Sequence, residues 1–342
     1  MSNQGRLPQA PANAGRDCRL ADKVAWLRRS LGSGDELVET HFAYVFLAGD
    51  RAWKLRKPVR RDPMDYSTLE ARRRDSEAEV LLNRRLAPHA YLGTRPLTLE
   101  ADGQLALGGE GVVVDWLVEM RRLDRSRMLD VVLAAGGATD ADLHSVAALL
   151  ASFYAREPAA VSDGASLQAR LLDQVAANHR VIATLDGEAA GGLRRMQANF
   201  LEAQPALLDA RAASGCIVEA HGDLRPEHIL LSKPPAVIDC LEFDRNLRIL
   251  DRAEELEFLA LECGRIGHAV AGARIARECL AILGDAVPTR LQQFYRSHRA
   301  ATRAKLHTWR ASEPDHDDAG RWLATAGEYL AVALEAAARA AT

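Results

Sequence analysis

The chain reads as an α+β protein in two lobes, a small mixed lobe of strands and one helix followed by a larger, mainly helical lobe. Three observations predict this. Short apolar runs separated by turn residues recur between residues 36 and 119. Beyond about residue 126, apolar residues mostly recur at helical spacing. One β-rich stretch, 216–243, interrupts the helices and gathers polar side chains in a loop and at a strand end. The expected division is therefore 17–120 and 121–342, after a leader, 1–16, whose Pro, Gly and Asn content reads as disordered.

Each element has its own signal. Leu20, Val24, Leu27 and Leu31 lie on one helical face, and Gly32-Ser33-Gly34 stops that helix. Leu37-Val38 opens a strand, Tyr44 to Ala48 forms a second and Arg51 to Arg56 a third. Gly49-Asp50 supplies the tight turn between the last two. Ser67-Thr68-Leu69-Glu70 fits a capping box in which Ser67 accepts a backbone N–H and Glu70 reaches back. The helix it opens runs to Leu86, ahead of Pro88. A hairpin over 95–107 turns at Asp102-Gly103, and Gly111 to Glu119 is an apolar strand that leads through Leu117 to Leu123 into the second lobe. There, helices are expected near 126–135, 140–156, 165–185 and 192–212, then 251–267, 270–283, 288–311 and 318–340.

Bulk properties narrow the function. The chain has 342 residues and a formal net charge of −3, which gives no general case for nucleic-acid or anionic-membrane binding. No apolar run approaches a membrane span, and the first residues lack the apolar core of a signal peptide. The cysteines stand singly with no C-x-x-C pair, so a reducing cytoplasm is expected. Oligomeric state is not legible. Arg far outnumbers Lys, whose only positions are 23, 54, 57, 233 and 305. A Lys kept in such a chain suggests that a compact point charge is wanted.

The chemistry concentrates in His221-Gly222-Asp223-Leu224-Arg225-Pro226-Glu227-His228, within the loop 221–231, and in Ala236-Val237-Ile238-Asp239-Cys240-Leu241-Glu242-Phe243. Phosphoryl transfer from a nucleotide needs a carboxylate to orient a hydroxyl, a cation near the moving phosphate and ligands for Mg²⁺. The two segments supply them in the order of a kinase catalytic loop, H-R-D-L-x-x-x-N, and a later D-F-G, and Ala52-Trp53-Lys54 matches the A-x-K of a third strand. With the stretch Glu39 to Pro58, these residues resemble the aminoglycoside phosphotransferase family, within the protein-kinase-like fold. The resemblance spans roughly residues 35 to 310. Glu39 to Pro58 is similar to a bacterial branch of which some members carry an extra C-terminal P-loop ATPase domain. No G-x-x-x-x-G-K-[ST] occurs here, so that extension is not expected.

The resemblance implies roles. Asp223 would orient the acceptor hydroxyl and take its proton, and Arg225 would neutralise charge on the transferring group. Asp239 would bind metal. Lys54 would hold the nucleotide α/β-phosphates, with Lys57 as the competing lysine and Glu79, or else Glu77, as partner. Thr40 and His41 occupy the turn that would cover the phosphates. His221 would brace the loop. Asp251 would cap the next helix or bond the loop backbone. Glu242 would contact metal, Arg or substrate. His228 departs from the family, which has Asn there. Its imidazole could ligate metal by nitrogen, favouring Mn²⁺ over Mg²⁺, or contact phosphate, or mark lost activity. Arg296, Arg299 and Arg303 recur on one helical face, read as a solvated face or, for Arg299 and Arg303, as a surface for an anionic acceptor. The expected activity is transfer of the terminal phosphate of ATP or GTP to a hydroxyl of a small-molecule acceptor. The alternative is a nucleotide-binding pseudokinase with a regulatory role.

Overall fold

The computed structural model describes residues 18–32, 36–61, 64–159, 166–313 and 318–342. The expected leader at 1–16 and the stop at Ser33-Gly34 lie outside them. The chain forms two units, Met1–Glu77 with Leu92–Arg122, and Ala78–Tyr91 with Leu123–Thr342.

The first unit is built on one sheet. Its strands are β1 (Leu37–Glu39), β2 (Ala43–Ala48), β3 (Arg51–Arg56), β6 (Tyr91–Leu99, whose first residue falls in the second unit), β7 (Leu105–Leu107) and β8 (Val112–Arg121), in the order β1-β2-β3-β8-β6-β7. A small ladder of β4 (Arg60–Arg61) and β5 (Met64–Asp65) follows β3. β2 and β3 pair antiparallel around Gly49, whose φ of +56° is open to glycine at little cost. Leu27 of α1 (Leu20–Ser30) packs with Phe46, Trp53, Leu55, Leu97 and Leu117 of the sheet. Lys23 of α1 and Arg72 of α2 (Leu69–Asn83) both pair with buried Asp115 of β8, at 2.8 and 2.7 Å. The cap of α2 is not the expected one. Thr68 Oγ1 accepts from Ala71 N–H, while Ser67 donates its hydroxyl to Asp65 and Glu70 pairs with Arg73. One residue of register decides it, because Thr68 directly precedes the first helical residue.

In the second unit the helices are α3 (Leu129–Ala134), α4 (Asp140–Arg156), α5 (Leu167–Ile182), α6 (Gly187–Ala203), α7 (Pro205–Ala213), α8 (Arg252–Arg265), α9 (Ala269–Ile282), α10 (Thr289–Ala311) and α11 (Ala319–Ala340). The single helix expected over 192–212 is two, because Pro205 lacks the N–H that would continue α6 and instead starts α7. Two short antiparallel ladders carry the functional segments. β9 (Ile217–Glu219) pairs with β12 (Ile249–Asp251), and β10 (Ile229–Leu230) pairs with β11 (Ala236–Val237). β12 was not anticipated. It is three residues long and gains its order from pairing with β9. A core running from Leu150 and Phe153 of α4 through Leu224, Val237 and Leu256 to Phe294 underlies both ladders.

Candidate functional site

β9 delivers the chain into the loop at His221, and backbone geometry there leaves little choice of residue. Gly222 has a φ of +90°, and a Cβ on it would meet Leu241 Cδ1 at 3.0 Å and Arg248 Cγ at 3.2 Å. His221 is fully buried. Its Nε2–H donates to Ile238 O at 2.9 Å and its Nδ1 accepts from Asp223 N–H at 3.3 Å. Burial, helped by the neighbouring His228, lowers its pKa to about 4, so the ring is a neutral brace, as expected. Two side chains absent from the sequence reading hold the functional segments, Glu255 the loop and Arg248 the stretch after Asp239. Glu255 of α8 accepts from His221 N–H at 3.1 Å, Gly222 N–H at 2.5 Å and the Tyr154 hydroxyl at 2.7 Å. Burial raises the pKa of this carboxyl, and those three donors oppose the rise. Arg248 donates to the carbonyls of Leu241 and Glu242 and pairs with Glu219.

The loop presents Asp223, with about a fifth of its side chain exposed. Burial pushes its pKa up, but Arg225, His228 and Arg303 outweigh that, and the carboxyl lies below its ordinary range. Arg225 Nε donates to Asp223 Oδ2 at 3.1 Å, and the same guanidinium reaches Glu227 at 2.6 Å and His228 Nε2 at 3.0 Å. His228 Nδ1 lies 2.9 Å from Asp223 O. A carbonyl only accepts, so Nδ1 carries the proton. Nε2 then holds a lone pair, which suits Arg225, a group that only donates. Asp239 Oδ2 stands 3.4 Å from that Nε2. Asp239 has a φ of +64°, the one positive value outside glycine among the described residues, and its side chain is half exposed. Such strain persists where the surroundings enforce it. Tyr91 OH accepts from Asp239 N–H at 3.3 Å, and Asn83 Oδ1 accepts from Cys240 N–H at 2.9 Å. Asp223, Arg225, His228 and Asp239 are thus brought together within one unit.

The other expected residues fall as follows. Glu242 is half-buried just past Asp239, with its carbonyl at Arg248. Asp251 caps α8 through Ala253 N–H and pairs with Arg211 and Tyr295, so its role is the helix cap. The face of Arg296, Arg299 and Arg303 is not a solvated one. It turns onto α8, and this corrects the reading of Arg299 as a substrate contact. Arg299 is 8% exposed, donates to Gly222 O at 2.9 Å and lies over the Phe258 ring. It supports the loop from below. Arg303 lies 3.6 Å from Glu262 and over Tyr329. Arg296 stands 3.8 Å from Glu257. In the first unit, Lys54 is half-buried on β3 opposite Val45 and Val118. Its competitor Lys57 pairs with Glu39 at 2.5 Å and lies over Tyr44. The Thr40 hydroxyl closes its own turn with Ala43, and His41 Nε2 accepts from Arg61 at 2.9 Å. On α2, Glu79 is buried and belongs to the second unit, whereas Glu77 is exposed and pairs with Arg73 at 2.8 Å.

A divalent ion fits the donor set in part. His228 Nε2 and Asp239 Oδ2 are spaced as neighbouring ligands of one ion would be, given metal–ligand distances of about 2.0–2.2 Å. Among the described residues no group of three or more His, Cys, Asp or Glu could hold a metal. The pair therefore suits an ion whose remaining ligands are phosphates and water, as is usual for Mg²⁺ in phosphate-transferring sites. No helix among the described residues is long and apolar enough to cross a membrane.

Comparison with known proteins agrees with this architecture. The GDP complex of wild-type aminoglycoside 2'-phosphotransferase-IIIa superposes with a TM-score of 0.50 at 15% identity, covering 93% of this chain and 98% of that one. A choline/ethanolamine kinase family protein from Mesorhizobium loti gives 0.50 at 14% identity over 93% and 99%. A thermostable mutant of aminoglycoside phosphotransferase APH(4)-Ia gives 0.52 at 12% identity over 90% and 98%. The chain has the protein-kinase-like fold. By sequence it is 33% identical over 302 residues to uncharacterized proteins of Mycobacterium bovis and Mycobacterium tuberculosis. The match takes in 85% of this chain but 59% of the length of those relatives. No family model matches.

Proposed function

We propose that the chain moves the terminal phosphate of ATP or GTP to a hydroxyl of a small-molecule acceptor. The observation that carries this reading is the cluster of Asp223, Arg225, His228 and Asp239, on a kinase-like fold, in the chain order that phosphoryl transfer uses. Asp223 is held ionised and partly open to solvent. It orients the acceptor hydroxyl and takes its proton as the new O–P bond forms and the β–γ bridging bond breaks, leaving a nucleoside diphosphate. Arg225 sets a positive charge beside that carboxylate, where it offsets charge on the moving phosphoryl group. Lys54 takes the α/β-phosphates. His228 Nε2 and Asp239 hold the divalent ion, Mg²⁺ or Mn²⁺, which when bound offsets phosphate charge. Mixed nitrogen and oxygen ligation shifts preference from Mg²⁺ toward a transition metal.

The test is turnover by purified protein with ATP or GTP against a pool of hydroxyl-bearing metabolites, alongside Asp223→Asn. The expected result is nucleoside diphosphate release with a phosphorylated product, reduced at least about 100-fold in the variant, while nucleotide still raises the thermal midpoint of both. Binding without turnover in wild type would sink transfer and leave the pseudokinase.

A further inference from the structure

Arg225 makes more contacts than a phosphate-binding residue needs in a resting protein. Its Nε, one terminal nitrogen and the other meet Asp223, Glu227 and His228 at 3.1, 2.6 and 3.0 Å. The contact to His228 is the informative one. That imidazole donates its Nδ1–H to the Asp223 carbonyl, the arrangement that fixes the tautomer and aim of a metal-binding histidine. Its single free lone pair, on Nε2, is given to Arg225. A cation seated on the same lone pair at about 2.0–2.1 Å would stand within about 1 Å of a guanidinium nitrogen now 3.0 Å away. The two cannot coexist.

We propose that Arg225 is a resident stand-in for the divalent ion. In the metal-free protein it occupies the His228 nitrogen and screens Asp223, and an arriving ion displaces it. The motion is small, because Arg225 and Glu227 are 21% and 35% exposed and only side-chain torsions need change. Glu227 keeps the released guanidinium nearby, so the ion's arrival frees the arginine for the incoming phosphate. The idle site thereby avoids leaving Asp223 and the imidazole lone pair unscreened, and the arginine becomes available when the metal does. The inference rests on the proposed function only in taking a divalent ion as the guest.

The test needs no nucleotide. Mn²⁺ binding is followed by loss of the free-ion signal in electron paramagnetic resonance, for wild type, Arg225→Met, His228→Ala and the double variant. Removing Arg225 is expected to tighten Mn²⁺ at least tenfold when His228 is present and less than threefold when it is absent. Equal gains in both backgrounds would mean ordinary charge repulsion and overturn the proposal, as would failure of Arg225→Met to bind Mn²⁺. A second readout covers loss of folding in His228→Ala. The Arg225 Nε–H resonance of wild type should shift on Mg²⁺ addition, and an unchanged resonance overturns the proposal. Displacement without turnover would retain this inference while sinking phosphate transfer.

Discussion

Glu255 shows how a residue remote from the chemistry sets its geometry. Its two oxygens receive the His221 and Gly222 amides immediately before Asp223, so the loop is aimed from α8 rather than from within. Glu255→Gln replaces one acceptor oxygen by a donor that faces an N–H. If the proposed transfer holds, kcat should fall more than tenfold with the KM for nucleotide little changed. A proportionate rise in KM would instead mean a damaged binding site. Gly222→Ala adds strain at φ +90° and a Cβ contact at 3.0 Å. It should cost about 1–3 kcal/mol in urea unfolding. These residues differ in how far the sequence exposes them. Asp223, His228 and Asp239 sit in short segments whose order and spacing carry meaning, and His221 follows from them. Glu255 lies in Glu254-Glu255-Leu256-Glu257 and reads as part of a solvated first helical turn. Only tertiary packing shows that Glu254 and Glu255 are buried. Arg299 was misread for the same reason, since periodicity marks a face and does not say what covers it.

At the scale of elements, α8 carries a pH signature separate from the site. Burial lifts Glu257 to about 7, with Arg296 at 3.8 Å opposing only weakly. In an unfolded chain a glutamate titrates near 4.3. Between those values the folded state holds a proton that the unfolded state has released. Stability is therefore fully present below about 4.3 and is lost as pH rises through about 7. The loss is on the order of 4 kcal/mol at about 1.4 kcal/mol per pH unit. Glu257→Gln should flatten this part of the profile, read as the difference in urea midpoint between wild type and variant from pH 4.5 to 7.5. Parallel profiles would refute the assignment. The helices themselves were largely legible. The expected helix over 140–156 coincides with α4, because Thr139 and Asp142 form a complete capping box and apolar spacing runs unbroken to Arg156. The divisions at Pro205 and β12 were not, since the first depends on weighing one proline against a long periodic run, and the second on a partner strand about thirty residues away.

For the whole molecule, the fold leaves the acceptor open, and charge placement narrows it. Nucleotide binding is tested first: ATP or GTP with Mg²⁺ should raise the thermal midpoint, and Lys54→Ala should reduce that rise in a protein that still folds. The acceptor question then turns on carboxylates. An aminoglycoside is a polycation, and a site for it needs several acids free to meet ammonium groups. The acids of α8 beside the catalytic loop are committed elsewhere. Glu254 meets His298 and Arg299, Glu255 holds the loop amides, Glu257 stands near Arg296, and Glu262 takes the Tyr329 hydroxyl and Arg303. Glu227 is paired with Arg225. Releasing Glu254, Glu262 or Glu227 would leave a histidine or arginine without its carboxylate beside an incoming cation, and releasing Glu255 would undo the catalytic loop, so binding would cost existing contacts and add repulsion. Kanamycin-like compounds should therefore be poor acceptors, with turnover below about a hundredth of that for a neutral or anionic hydroxyl compound found in the metabolite screen. Expression in a sensitive bacterial host should leave the inhibitory concentration of kanamycin unchanged. Efficient kanamycin phosphorylation, or resistance lost in Asp223→Asn, would show that these pairs open and that the charge argument fails.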